Sequence, residues 1–183
     1  MKKMLAIISC LVLALGLAAC GSTADSTVSG QPAESAGQPA EEAAPQVQIG
    51  NPYVTCADAD EMQQQAGLQV SLPTQLPSWV SETIYRAMPD KLVEVIYQGQ
   101  DNEIRVRIAN GDEDISGVYG GEYTTSKQLS LGDATVTAQG TESAEGELLL
   151  FINTWTADGR TYSVTSTAGV PEAEMLQILE EIK

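Results

Sequence analysis

Few side chains in this sequence combine a reactive type with a spacing that gives it work to do. Cys20 is the clearest. It follows Leu17-Ala18-Ala19 at the end of an apolar run, and small residues before a thiol let a peptidase reach the backbone there. The thiol is the group in that motif that can carry a diacylglyceryl thioether. Of the other two cysteines, Cys10 lies inside the apolar run, so Cys56 stands alone once the leader is removed and no intramolecular disulfide is available. Cys56 reads as a small apolar residue, partly buried, rather than as a reactive thiol.

The remaining chemistry is thin. The chain has no histidine, which removes the imidazole base, the imidazole metal ligand and the Ser-His and Cys-His pairs. A single remaining cysteine cannot form a thiolate cluster. No Gly-rich loop ends in Gly-Lys-Ser/Thr. None of Lys91, Lys127 and Lys183 has a serine three residues before it, so the Ser-x-x-Lys arrangement is absent. Neither catalytic residues nor a metal or other cofactor is expected. Two stretches of one loop are candidate recognition elements. Asp112 and Asp114, within Gly111-Asp112-Glu113-Asp114-Ile115-Ser116-Gly117, offer oxygen ligands for a calcium ion, but they lack the acid spacing of a calcium loop. A solvated acidic turn with Asp or Ser bonding the local backbone is the favoured reading. Tyr119 and Tyr123, set among Gly117, Gly120 and Gly121, suit either a recognition surface or a tyrosine folded back onto a sheet edge.

These residues are expected in three segments. Residues 1–19 carry Lys2 and Lys3 and then 16 almost wholly apolar residues from Met4 to Ala19, short of the ~20 that a bilayer-spanning helix needs. With Cys20 behind it, this leader resembles the signal peptide and lipobox of a bacterial lipoprotein. Residues 20–45 are low in complexity, with Val28 the only large aliphatic side chain. Such a segment buries too little apolar surface to order itself and reads as a disordered tether. Its reach is about 25–30 Å. Residues 46–183 are the expected folded domain. After Cys20 the chain holds seven basic and 25 acidic side chains, a net −18. That charge disfavours nucleic acid and anionic headgroups as partners, so the membrane contact is assigned to the lipid on Cys20.

Within the domain, Thr55 to Gly67 reads as a short helix, with Thr55 and Asp58 at capping-box spacing and Gly67 as its stop. Leu68 to Leu72 is a strand candidate. Trp79, after Pro77, reads as a plug at a core edge. Thr83 to Met88 and Leu92 to Gln98 follow as strands, the second apolar enough to be covered on both sides. Glu103 to Ala109 alternates, with Ile104, Val106 and Ile108 opposite Glu103, Arg105 and Arg107. A long loop spans Asp112 to Thr125. Hairpins then turn at Gly132-Asp133 and at Asp158-Gly159, the latter a type I′ dipeptide. Trp155 and Tyr162 flank that hairpin and are assigned to cross-strand packing. Pro171 to Lys183 is helical, with Met175, Ile178, Leu179 and Ile182 on one stripe. The expected class is α+β: a single antiparallel β-sheet packed with a short N-terminal helix and a C-terminal helix.

The order of these pieces carries a resemblance. Asn51-Pro52-Tyr53, Ala66-Gly67-Leu68, Leu72-Pro73 to Leu76-Pro77 and Val95-Ile96-Tyr97 come first. Ile104-Arg105-Val106-Arg107, Asp114-Ile115-Ser116-Gly117 with Tyr119, Trp155, Asp158-Gly159, Tyr162-Ser163 and Met175-Leu176 with Ile178 follow. From Gly50 to Lys183 the chain resembles the domain-of-unknown-function family 4367. That family occurs in lipoproteins and in the extracytoplasmic parts of anti-sigma-factor-like proteins. The resemblance implies an α+β fold outside the membrane and supplies no catalytic or binding residues. The expected function is a membrane-anchored, non-enzymatic binding or sensing lipoprotein facing an envelope protein or wall ligand. The alternative is a carrier of a lipid or lipoprotein in an apolar cavity under the sheet, by analogy with the curved sheets of lipoprotein carriers.

Overall fold

Among the described residues eight strands are recruited from the alternating and β-branched runs, and all pair antiparallel in one sheet ordered β1-β2-β3-β4-β8-β7-β6-β5. The computed structural model describes residues 50–183. The leader, Cys20 and the tether lie outside the described residues. The strands are β1 Val54–Cys56, β2 Glu82–Met88, β3 Leu92–Gln98, β4 Glu103–Asn110, β5 Thr125–Leu131, β6 Ala134–Glu142, β7 Leu148–Ala157 and β8 Arg160–Pro171. Two helices, α1 Ala59–Ala66 and α2 Glu172–Glu181, complete an α+β domain.

The start of the domain corrects the expected helix. Val54–Cys56 is an edge strand, with Thr55 opposite Arg86 in the ladder, so Thr55 does not cap anything. The capping pair sits one frame later. Asp58 is extended (φ −153°) and its carboxylate accepts from the Glu61 amide at 2.9 Å. Glu61 in turn accepts from the Ala57 amide at 2.7 Å. The free Glu61 amide of the first turn is thereby satisfied and the Ala57 amide ahead of the cap is tied to the helix, which fixes the start at Ala59. Gly67 ends the helix in the left-handed region (φ 65°), as its lack of a Cβ permits.

Leu68 to Leu72 forms no strand, which corrects the second expectation. Its backbone partners are not a ladder. The Val70 amide donates to the Gln63 side chain at 2.8 Å, and the Ser71 amide donates to the Lys183 carbonyl at 2.8 Å. The segment is therefore a strap from α1 to the end of α2. Glu181 tightens it by accepting from both the Thr74 amide and the Thr74 hydroxyl.

The hairpins follow their turn residues. Asp158 and Gly159 both have positive φ (52° and 74°), as a type I′ turn requires. Gly132 (φ 58°) opens the tight β5–β6 turn. The register places Trp155 opposite Tyr162, and their rings stack at 4.9 Å between centroids. Trp79 packs against the core edge and lies over Gly99, where a Cβ would come within 2.5 Å of it.

The two faces of the sheet differ. One joins Val93, Val95, Val106, Ile108, Val164 and Trp155 to Met62 and Ala66 of α1 and to Met175, Ile178 and Leu179 of α2 in a single buried cluster. Each large aliphatic side chain fully buried there contributes about 1.5–3 kcal/mol. The opposite face carries a polar row across the strands: Arg86, Glu94, Arg107, Ser163, Thr154, Thr137 and Gln128 are successive partners. β3 is nevertheless buried on both sides, since Leu92, Glu94 and Ile96 are as covered as Val93 and Val95. On the polar face the neighbours of Glu94 and Ile96 on β4 are Arg107 and Arg105, whose apolar stems supply cover without a second layer of helices.

Because β4 neighbours β8 while β5 lies at the far edge, the chain between β4 and β5 must travel past three strands. Residues 111–124 make that crossing.

Candidate functional site

The crossing loop is held at its middle by one arginine. Arg107, on the polar face of β4, donates from Nη1 to the Ile115 carbonyl at 3.0 Å and to the Ser116 carbonyl at 2.7 Å. Its Nε donates to Glu94 at 2.7 Å. Gly117 (φ 65°) follows directly, and a Cβ there would lie 2.2 Å from Arg107 Nη1. Glycine is needed both for the left-handed backbone and for the close approach. At the loop entrance the Gly111 carbonyl accepts from the Thr161 hydroxyl at 2.6 Å, and the Gly111 amide donates to the Gly159 carbonyl at 2.9 Å.

Of the four expected recognition residues, Asp112 and Asp114 line one open cleft, and neither Tyr119 nor Tyr123 lines it. Asp114 turns inward on its own chain and accepts from the Ser116 amide at 2.8 Å, and the Ser116 hydroxyl accepts from the Val118 amide at 3.3 Å. This is the solvated turn with local backbone bonding. Asp112 is exposed and lines an open cleft of about 320 Å³ with Thr137, Thr154, Thr156 and Thr161. Among the described residues no three Cys, Asp or Glu side chains converge in a metal-holding group. The two tyrosines differ in their surroundings. Tyr123 is half-buried and packs on Phe151, with ring centroids 5.6 Å apart. Tyr119 is 94% exposed. Its loop is fastened on either side, at Ser116 and at Tyr123, and the ring between these two points stands in solvent.

Sequence reasoning missed the charge cluster beneath this clamp. Glu94 is fully buried and is reached by three arginines. Arg86 Nε donates to Oε1 at 2.6 Å, Arg107 Nε to Oε2 at 2.7 Å, and Arg105 Nη1 stands 3.7 Å from Oε2. Arg105 also donates to Glu103 at 2.7 Å, and Arg86 lies over the Tyr53 ring at 4.6 Å. The signal was present: Glu94 is the one charge in an otherwise apolar strand, and Arg105 and Arg107 alternate on the next. A buried carboxylate is tolerated only when paired and hydrogen-bonded, so arginines across the ladder are its natural partners. Beside the cluster runs an open groove of about 650 Å³, lined by Arg86, Arg105, Gln98 and Glu103 over Ile84 and Ile96.

Other titratable groups have structural surroundings. Burial pushes the Cys56 thiol up, and the Glu61 and Asp58 carboxylates add to it, partly offset by a hydrogen bond to the Ala87 backbone. A protonated, buried thiol is a poor nucleophile. Burial also raises Tyr97, reinforced by Tyr85 and Glu181. Hydrogen bonds from Thr74 hold Glu181 below the usual carboxylate range. Among the described residues, two buried polar atoms, Asn153 Oδ1 and Ser163 Oγ, have no hydrogen-bond partner. Asn153 still donates to the Val164 carbonyl at 3.2 Å.

The space between the sheet and the helices is occupied by side chains, with Met62, Val93, Ile108, Leu150, Met175 and Leu179 all at zero exposure. A cleft of about 910 Å³ opens where α2 ends, between Leu131, Ala134, Ile182 and the Asp133 and Asp158 turns. It is a surface feature rather than an enclosed chamber. Among the described residues no helix is long and apolar enough to cross a membrane. The chain matches no family model, no curated protein and no solved structure.

Proposed function

We propose that this chain is an extracytoplasmic lipoprotein, acylated on Cys20 and anchored in the cell membrane. Its folded domain is a non-enzymatic binding module; the resemblance to family 4367 supports the extracytoplasmic placing and supplies no binding residues. The anchoring half rests on Leu17-Ala18-Ala19-Cys20 behind a basic, apolar leader. The binding half rests on one observation: Tyr119, 94% exposed, stands on a loop clamped to the sheet by Arg107. A large aromatic ring gains by leaving water, so one held out on a fixed support is suited to receiving a partner. The partner is a protein or wall component of the envelope, met in the aqueous layer that the tether reaches. The absence of histidine and the single cysteine after Cys20 favour binding over catalysis. The carrier reading needs an enclosed apolar cavity, and the filled space under the helices does not favour it.

A photo-crosslinking amino acid at position 119 tests the binding half in intact cells. It is expected to give one discrete adduct that a crosslinker at the exposed Asp133 position does not give. Protease sensitivity of the adduct then identifies a protein, and muramidase sensitivity a wall fragment. Equal, diffuse labelling from both positions would count against a recognition loop.

A further inference from the structure

The two edges of the sheet are finished differently. β1 is three residues long and follows Pro52, two devices that blunt an edge against further pairing. β5 is seven residues long and contains no proline, and its ladder with β6 runs without a register shift. Its one charge, Lys127, does not guard it, because the ammonium is drawn toward α2 and donates to Glu172 at 2.6 Å. Among the described residues β5 pairs with β6 alone.

The register says which groups face outward. Leu131 and Ala134 close a two-residue hairpin, so they exchange backbone hydrogen bonds, and so do Leu129, Lys127 and Thr125 at every second position. The N–H and C=O groups of Ser126, Gln128 and Ser130 therefore point away from β6, and all three side chains are exposed.

We propose that this edge pairs with a second copy of the chain, β5 against β5 antiparallel about Gln128. In that register each Gln128 faces the other, Ser126 faces Ser130, and Lys127 faces Leu129. Residues of equal parity are opposed, so the helix-facing sides of both strands stay on one face and the polar sides on the other. No like charges meet, and the outer row is serine and glutamine, which hydrogen-bond across strands. Three outward-facing residues on each strand give about six backbone hydrogen bonds. Shifting the register to centre on Lys127 would oppose Ser126 with Gln128 and leave Ser130 facing Thr124, outside the strand, so fewer outward-facing groups would be paired. A single-strand interface is small, and the pairing is reversible and dependent on concentration.

The test uses the purified full chain in detergent with Cys10→Ser and Cys20→Ser, which leaves only the buried Cys56 and makes the outcome independent of acylation. Gln128→Cys in that chain is treated with a short bismaleimide across a dilution series, beside Asp133→Cys at the exposed β5–β6 turn. A covalent dimer is expected from position 128, faster than from position 133 and slowing on dilution. Gln128→Pro removes an outward N–H while leaving the ladder to β6, so sedimentation should move from dimer to monomer with an unchanged circular dichroism spectrum. Equal cross-linking at both positions, a ladder of higher multimers, or a dimer that survives Gln128→Pro would overturn the pairing.

Discussion

Glu94 is the residue on which the polar face depends. It is fully buried and bonded to Arg86 and Arg107, so its charge is compensated only where it stands. Glu94→Gln keeps the shape and removes the charge, leaving Arg107 partly buried without its anion. The expected cost is about 3–5 kcal/mol, read as a lower midpoint in urea unfolding. A loss under about 1 kcal/mol would mean that water screens the cluster as it does a surface pair. Glu181 makes a smaller, pH-dependent contribution. Its carboxyl is held below its ordinary range by Thr74, so the stabilisation is present above the ordinary carboxylate range and is lost as the pH falls through the lowered value. Glu181→Gln should therefore flatten the acid limb of the stability–pH curve. An acid limb identical to that of the parent chain would remove Glu181 as a contributor. The pairing of Glu94 was only half legible in the sequence. Alternation put Arg105 and Arg107 on one face, but the register that places Arg107 opposite Glu94 is a property of two strands together.

At the scale of elements, the strands from β2 to β8 were readable because alternation and turn dipeptides agree, as at Asp158-Gly159. The segment ahead of β2 was not. Thr55 with Asp58 and Asp58 with Glu61 have the same spacing, and the tertiary pairing of Thr55 with Arg86 decides between them. Leu68 to Leu72 is apolar at alternate positions, yet Gln63 and Lys183 take its backbone bonds, so local pattern misled. The crossing loop is an element of its own, fastened where Arg107 meets Ile115 and Ser116. Gly117→Ala would force a Cβ onto that guanidinium in a left-handed backbone. The expected result is a freed loop with the sheet intact: faster amide exchange across residues 112–122 and unchanged protection in β3 and β4. Uniformly raised exchange in both regions would show that the loop and the sheet open together.

For the whole molecule, the strand order was beyond the sequence. Hairpins are local, but placing β8 beside β4 and sending β5 to the far edge depends on contacts 50 or more residues apart. That order gives the loop its path over the helix-free face and puts Tyr119 on display, so the candidate site inherits its position from topology. The candidate residues themselves were visible as types, while their division into one exposed and one packed tyrosine depended on Phe151 reaching Tyr123. The proposed acylation is the other half of the reading, and it is specific to one atom, the Cys20 sulfur. The most direct measurement is the intact mass and N-terminal fragmentation of the chain extracted from membranes. An N-terminal Cys20 bearing a diacylglyceryl group, lost in Cys20→Ala, is the predicted result. A chain that begins at another residue, or carries no lipid while remaining in the membrane fraction, would contradict it.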